Sequence, residues 1–183
     1  MSRLPPSDTA IRVADLKQNA EKTFSVRPDA AALSQIAGDL ALSALRKVRF
    51  EGRLKPLGRT DWTLEAQLGA TVVQPCVVTL DPVTTRIDTP VVRHFVQDFV
   101  LSDDPETEMP DDDTTESLGP WIDPAEVMKE ALALAVPDYP RKDAAALGQM
   151  VYAEPGTAPM TDEDAKPFAG LANLKDQLIK PKE

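Results

Sequence analysis

Apolar and polar residues alternate over two neighbouring segments, near 46–57 and 60–74, and this alternation is typical of strands that bury one face. The segment Gly58-Arg59-Thr60-Asp61 between them has the composition of a turn. The two segments therefore predict an antiparallel hairpin with one apolar and one polar face. The apolar positions are Val48, Phe50 and Leu54 in the first segment and Trp62, Leu64, Ala66, Leu68, Ala70 and Val72 in the second.

Two further segments, near 11–16 and 83–99, alternate in the same way and predict strands of the same sheet. Pro90 marks an edge position or a bulge in the longer one, because proline has no backbone N–H to donate to a neighbouring strand. Residues 1–9 are polar and unpatterned, and we expect them to form a loose arm.

Helices are predicted near 30–41 and near 123–135. Asp29 is suited to cap the first, and Asp123 followed by Pro124 is a strong start for the second. A third, short amphipathic helix is predicted from Phe168 onwards. These elements predict an α+β fold, with a curved antiparallel sheet or open β-barrel flanked by two to three helices.

The length of 183 residues predicts one domain over residues 1–183. Within it, residues 101–118 lack periodicity and are strongly acidic, so we expect a mobile loop there. Residues 138–183 mix proline, glycine, alanine and acids, and we expect a loosely structured C-terminal region.

Charge is distributed unevenly around the formal net value of −10. Eight acids and no base lie between residues 102 and 116, whereas residues 1–60 hold eleven bases against six acids. The basic excess is densest on the polar face of the first predicted hairpin strand, which makes that face a candidate phosphate-contacting surface. An ordinary solvated face with cross-strand pairs to Glu51 and Glu65 is the competing interpretation. The candidate nucleic-acid-binding residues are Arg46, Lys47, Arg49, Arg53, Lys55 and Arg59.

Catalytic chemistry finds little support, because Cys76 and His94 are the only cysteine and the only histidine. One cysteine cannot form an internal disulfide, and a thiolate zinc site requires paired cysteines. We expect no enzyme activity, no cofactor and no metal. No apolar run is long enough to span a bilayer, and the N-terminus lacks the apolar core of a signal peptide, so we expect a cytoplasmic protein without membrane contact.

Three segments, in this order and spacing, resemble the YceD-like family of large ribosomal RNA subunit accumulation proteins. Cys76 followed by Leu80-Asp81-Pro82-Val83 resembles its central signature, in which Cys76, Leu80 and Pro82 are read as structural. Residues 121–137 are similar to the family's conserved helix, and residues 167–175 to its C-terminal ending. Val78 and Thr79 stand where the family usually has arginine and a second cysteine.

The resemblance implies a non-catalytic bacterial ribosome biogenesis factor that supports accumulation of large-subunit (23S) ribosomal RNA. The implied partner is that RNA or a pre-ribosomal particle. One alternative stays open at this point: a protein-binding adapter that holds a basic ribosomal protein through the acidic loop.

Overall fold

The computed structural model describes residues 4–97 and 114–146, together with the single residues 153, 154, 156 and 160. The chain divides into two compact units, Met1–Lys142 and Asp143–Glu183. The fold described below is that of the first unit. The helix expected from Phe168 and most of the acidic loop lie outside the described residues, and the single domain with a loosely structured C-terminal region stays a prediction.

The main sheet has five strands in the order β2-β3-β4-β5-β6. Its strands pair antiparallel except β5 and β6, which run parallel, and β1 and β7 form a separate antiparallel pair. The α+β prediction is confirmed, and the described strands form an open mixed sheet rather than a barrel. The strands are β1 (Ile11–Arg12), β2 (Lys22–Val26), β3 (Ala44–Leu57), β4 (Asp61–Pro75), β5 (Pro82–Val96), β6 (Thr115–Ser117) and β7 (Trp121–Ile122), and the helices are α1 (Ala30–Asp39) and α2 (Pro124–Ala135).

The predicted hairpin is confirmed as β3 and β4, which pair up to Leu57 and Asp61 on either side of the turn. Gly58 begins this turn with φ +65°, a conformation that glycine adopts without steric cost. Strand β5 continues the pairing along the whole of β4, and its register passes Pro90 without a bulge. Strand β6 pairs only with His94–Val96, so Pro90 lies on a described edge of the sheet.

One face of the sheet is buried and carries the alternating apolar side chains. Leu54, Leu64 and Leu68 are fully buried there, and Met128 and Leu132 of α2 belong to the same core. Both helices begin as predicted, because Asp29 accepts a hydrogen bond from the Ala32 amide and Asp123 accepts one from the Ala125 amide. Both described helices contribute to this core, whereas Arg49 and Arg53 on the opposite face of the sheet are exposed.

The expectation for residues 11–16 is wrong in its placement. Only Ile11 and Arg12 form a strand, and they pair with Ile122 and Trp121 outside the main sheet, after which Val13–Asp15 form a 3-10 helix. The strand that pairs with β3 at one edge of the main sheet is β2 instead, and the sequence pattern did not predict it. Six alternating residues specify a half-buried strand but carry no information about which sheet receives it.

Two chain segments are more ordered than their composition suggested. Thr9, in the expected loose arm, donates its hydroxyl to Asp123 at 2.7 Å. Residues 115–117, at the end of the expected acidic loop, form β6 and extend the sheet in parallel. Both segments gain their order from partners that are distant in sequence.

Candidate nucleic-acid interface

The predicted basic row lies on the exposed face of the main sheet. Lys47, Arg49 and Arg53 are exposed, and Lys55 is half-buried, whereas Val48, Phe50 and Leu54 between them are buried. The cross-strand register places Arg49 beside Gly69, Arg53 beside Glu65 and Lys55 beside Thr63. The predicted separation of a cationic and a core face is therefore confirmed.

A β-bulge near the start of β3 adds a second exposed cation to this face. The register shifts between Arg46 and Arg49, so that Lys47 and Val48 both lie opposite Ala70. Arg46 and Lys47 are consecutive and both exposed, between buried Leu45 and Val48. Lys47 has φ +52°, in the left-handed region that costs a non-glycine residue about 1–2 kcal/mol. The strained residue is thus a cation on the exposed face.

Ion pairs neutralise the half of the face nearest the hairpin turn, which we call the paired half. Arg27 binds Glu51 at 2.7 Å, Lys55 binds Glu65 at 2.6 Å, and Arg53 lies 3.3 Å from Glu65 and 3.5 Å from Glu21. The hydrogen bond from Arg27 lowers the pKa of Glu51, and that from Lys55 lowers the pKa of Glu65. The cross-strand interpretation of the charges therefore applies to the paired half. Its members are Glu21, Arg27, Glu51, Arg53, Lys55 and Glu65.

The other half of the face keeps a positive excess. Arg46 lies beside Thr71 and Thr71 beside Arg86, while Arg49 lies beside Gly69 and Gly69 beside Asp88. Lys47, Arg49, Thr71 and Arg86 line a shallow depression of about 300 Å³. We call these four residues, together with the neighbouring Arg46 and Asp88, the bulge cluster. Its charged members are Arg46, Lys47, Arg49, Arg86 and Asp88.

Arg86 is a member of the bulge cluster that the sequence analysis missed. Its signal was present, because Arg86 precedes the apolar position Ile87 in the predicted 83–99 strand and so falls on the polar face of that strand. Its Nη2 lies 2.6 Å from Oδ1 of Asp88, which raises the pKa of the guanidinium and lowers that of the carboxyl group. Arg86 joins the site only because β4 pairs with both β3 and β5, so that side chains from the two outer strands meet across β4.

Arg59 does not join this cluster. It lies in the hairpin turn, and eight residues of strand, about 26 Å, separate Arg49 from Leu57 at the start of that turn. The six predicted binding residues therefore fall into three groups: Arg46, Lys47 and Arg49 in the bulge cluster, Arg53 and Lys55 in the paired half, and Arg59 in the turn.

Cys76 lies in a tight corner between β4 and β5. The thiol is fully buried, and its Sγ accepts hydrogen bonds from the backbone amides of Lys142 at 3.4 Å and Val78 at 3.5 Å. The Lys142 amide, the Thr79 hydroxyl and neighbouring amides lower the pKa of Cys76 to about 6. The other two signature residues frame the corner, since Leu80 is exposed at φ +63° and Pro82 begins β5 opposite Pro75.

The segment that follows α2 is fastened to this corner. The Val77 amide donates to the carbonyl of Pro140, and the Lys142 side chain donates to Asp81 at 3.0 Å. Gln74 donates to the carbonyl of Pro137 at 3.0 Å. Cys76 thus lies where the corner meets residues 137–142, and its structural role stays a prediction.

Cys76 and His94 do not meet. Cys76 adjoins the start of β5 and His94 lies near its end, twelve residues of strand from Pro82, or about 40 Å. His94 projects onto the exposed face and contacts the Thr63 hydroxyl through Nδ1 at 3.1 Å. This arrangement provides no thiol–imidazole pair.

Comparison with known proteins identifies one family. The family model described as large ribosomal RNA subunit accumulation protein YceD matches residues 64–175. No match was found among curated proteins or among solved structures. No helix in the described part of the chain is long and apolar enough to cross a membrane.

Proposed function

Because the chain belongs to the YceD family of large ribosomal RNA subunit accumulation proteins, we propose that it acts by binding 23S ribosomal RNA, free or in a pre-ribosomal particle. It does so in the cytoplasm and without catalysing a reaction. The family links the chain to accumulation of the large-subunit ribosomal RNA. Direct binding of that RNA, through the exposed face of the main sheet, is the step that we add.

The bulge cluster is the observation that carries this proposal. It brings Arg46, Lys47, Arg49 and Arg86 together with one acid, Asp88, on a face that no described helix covers. Binding to a nucleic-acid backbone draws on such a local excess, because each neutralised phosphate releases condensed counterions. The formal charge of the whole chain, −10, does not oppose this, since the field at a surface depends on the charges close to it.

Binding spread evenly along the basic row is less well supported. Arg53 and Lys55 already contact Glu65, and a phosphate would have to compete with that carboxylate. Exposed pairs of this kind contribute little to stability, but they cancel the local charge on which phosphate attraction depends. The proposal therefore places the phosphate contacts mainly at the bulge cluster.

The experiment is a binding titration of the intact chain with fragments of 23S ribosomal RNA over a series of salt concentrations. We expect the logarithm of the affinity to fall linearly with the logarithm of the salt concentration, with a slope of about −0.7 to −0.9 per phosphate contact. Affinity that is absent at low salt, or independent of salt, would reject direct RNA binding. The adapter alternative, which depends on acids mostly outside the described residues, would then become the better explanation.

A further inference from the structure

We propose that the depression in the bulge cluster is a binding site for one phosphate group of the RNA backbone. Arg86, Arg49 and Lys47 supply its cationic contacts, and Asp88 is the residue that positions Arg86. The inference rests on the proposed function and deepens it, because it assigns the main phosphate contact to defined atoms and to an arginine outside the basic row.

Arg86 is held in a fixed orientation with donors to spare. Its Nε lies 2.7 Å from Oδ2 of Asp88, its Nη2 lies 2.6 Å from Oδ1, and its Nη1 lies 3.3 Å from the Thr71 hydroxyl. A guanidinium has five N–H donors in a planar fork, so two remain for a ligand. A forked donor of this kind matches the geometry of a phosphate group.

The other two cations are less engaged. Nη2 of Arg49 is 3.7 Å from Oδ1 of Asp88, which is longer than a hydrogen bond, and Lys47 forms no ion pair with a described residue. Three cations thus line the depression, and the Asp88 carboxylate lies near two of them, Arg86 and Arg49. The side chains are accessible, since 55% of Arg49 and 39% of Arg86 remain exposed. A phosphodiester would supply the missing negative charge.

Gly69 forms the floor of the site. A Cβ placed on it would lie 2.6 Å from Nη2 of Arg86, 2.9 Å from Nε of Arg49 and 3.0 Å from Oδ1 of Asp88. All three side chains therefore lie across the bare backbone of this one residue. Any larger residue would displace them, and because they are the ends of long or exposed side chains, the sheet itself would not have to move.

Gly69→Ala is the sharpest test, because it leaves every charge in place. We expect it to weaken binding to the 23S fragments about threefold or more, with unfolding by urea close to wild type. Gly38→Ala is the matched control, since a Cβ there meets nothing within 4 Å. Wild-type affinity in a folded Gly69→Ala protein would overturn the proposed geometry.

A second measurement keeps the inference testable should Gly69→Ala perturb the sheet. Inorganic phosphate is titrated into the protein while backbone amide resonances are followed by NMR. We expect saturable shifts at Lys47, Arg49, Gly69 and Arg86 with millimolar affinity, lost in Arg86→Gln and retained in Arg27→Gln. Shifts that do not saturate, or that survive Arg86→Gln, would overturn the site.

The two proposals fail in different ways. Wild-type protein that does not bind 23S fragments removes the proposed function and this inference with it. RNA binding that persists unchanged in both Gly69→Ala and Arg86→Gln removes only the phosphate site, and leaves RNA binding to the remaining cations of the face.

Discussion

Arg93 of β5 and Glu130 of α2 form an ion pair at the edge of the hydrophobic core, with Nη2 of Arg93 2.8 Å from Oε1 of Glu130. Arg93 projects from the core face of β5, in the same cross-strand row as buried Leu64. Its Nε is also 3.1 Å from Glu116 of β6, within ion-pair distance although not aligned for a hydrogen bond. One arginine thus connects the sheet, its parallel edge strand and α2.

Removal of this arginine should destabilise the fold. We expect Arg93→Ala to lower the free energy of unfolding by about 2–3 kcal/mol, because it removes charge-assisted contacts and leaves two acids facing each other. Lys129→Ala is the matched control on the same helix, since Lys129 forms an exposed pair with Glu126 and should cost less than about 0.5 kcal/mol. Urea denaturation measures both, and equal losses would contradict the bridging role of Arg93.

The same variant should show a distinct dependence on pH. Burial, and then repulsion by Glu130, raise the pKa of Glu116, while Arg93 opposes that rise. An acid whose folded-state pKa is raised binds more protons in the folded state, so it weakens folding as pH rises through that pKa. The destabilisation of Arg93→Ala should therefore be larger at pH 7 than at pH 4. A loss that is equal at both values would show that Glu116 does not sense Arg93.

Asp123 should stabilise the fold through two contacts at once. Its Oδ1 accepts hydrogen bonds from the Ala125 amide at 3.0 Å and from the Thr9 hydroxyl at 2.7 Å. We expect Asp123→Ala to cost about 1–2 kcal/mol of unfolding free energy by loss of the helix cap. Thr9→Val keeps the shape of the side chain and removes only the hydroxyl, and should cost about 1 kcal/mol. If Thr9→Val has no effect, the N-terminal segment does not depend on this contact.

Cys76 is predicted to act in stability and not in RNA binding. Cys76→Ser should lower the free energy of unfolding by about 1–2 kcal/mol. The smaller hydroxyl fills the buried site less well and lies farther from the amides of Val78 and Lys142, which donate to the sulfur. The affinity of the variant for the 23S fragments should equal that of wild type. Loss of RNA binding in a folded Cys76→Ser protein would contradict a purely structural corner.

The contribution of Cys76 to stability should also increase with pH. The pKa of Cys76 is lowered from 9.0 to about 6, so the unfolded chain binds more protons between these values. The contribution of Cys76 to stability is fully present above pH 9 and is lost as the pH falls through about 6. Wild type should therefore gain stability relative to Cys76→Ser when the pH rises from 6 to 9, and parallel pH profiles would contradict the lowered pKa.

The two halves of the exposed face can be compared directly. Arg46→Gln combined with Lys47→Gln should reduce the magnitude of the salt slope of RNA binding by about 0.7–1.8, which corresponds to one or two lost phosphate contacts, because Arg49 and Arg86 still contact the phosphate that Lys47 shares with them. Arg53→Gln combined with Lys55→Gln changes the net charge of the chain equally and should leave the slope close to wild type. Filter binding over a salt series measures both, and equal reductions would show that binding is not centred on the bulge cluster.

Local sequence pattern determined the hairpin, the division of β3 into a core face and a charged face, and the starts of both helices. These features depend on residues within a few positions of one another, such as Val48, Phe50 and Leu54 along one strand or Asp123 before Pro124. Such short-range periodicity and capping can be read directly from the order of residues.

Only the tertiary structure decided which charges remain available. Arg53 is neutralised by Glu21 and Glu65, Arg86 reaches the bulge cluster across β4, and Arg93 is buried because acids of β6 and α2 meet it there. Each outcome depends on the register between segments that are 12 to 37 residues apart. Cross-strand pairing over such separations is fixed by the packing of the whole core, and no local pattern in this chain encodes it.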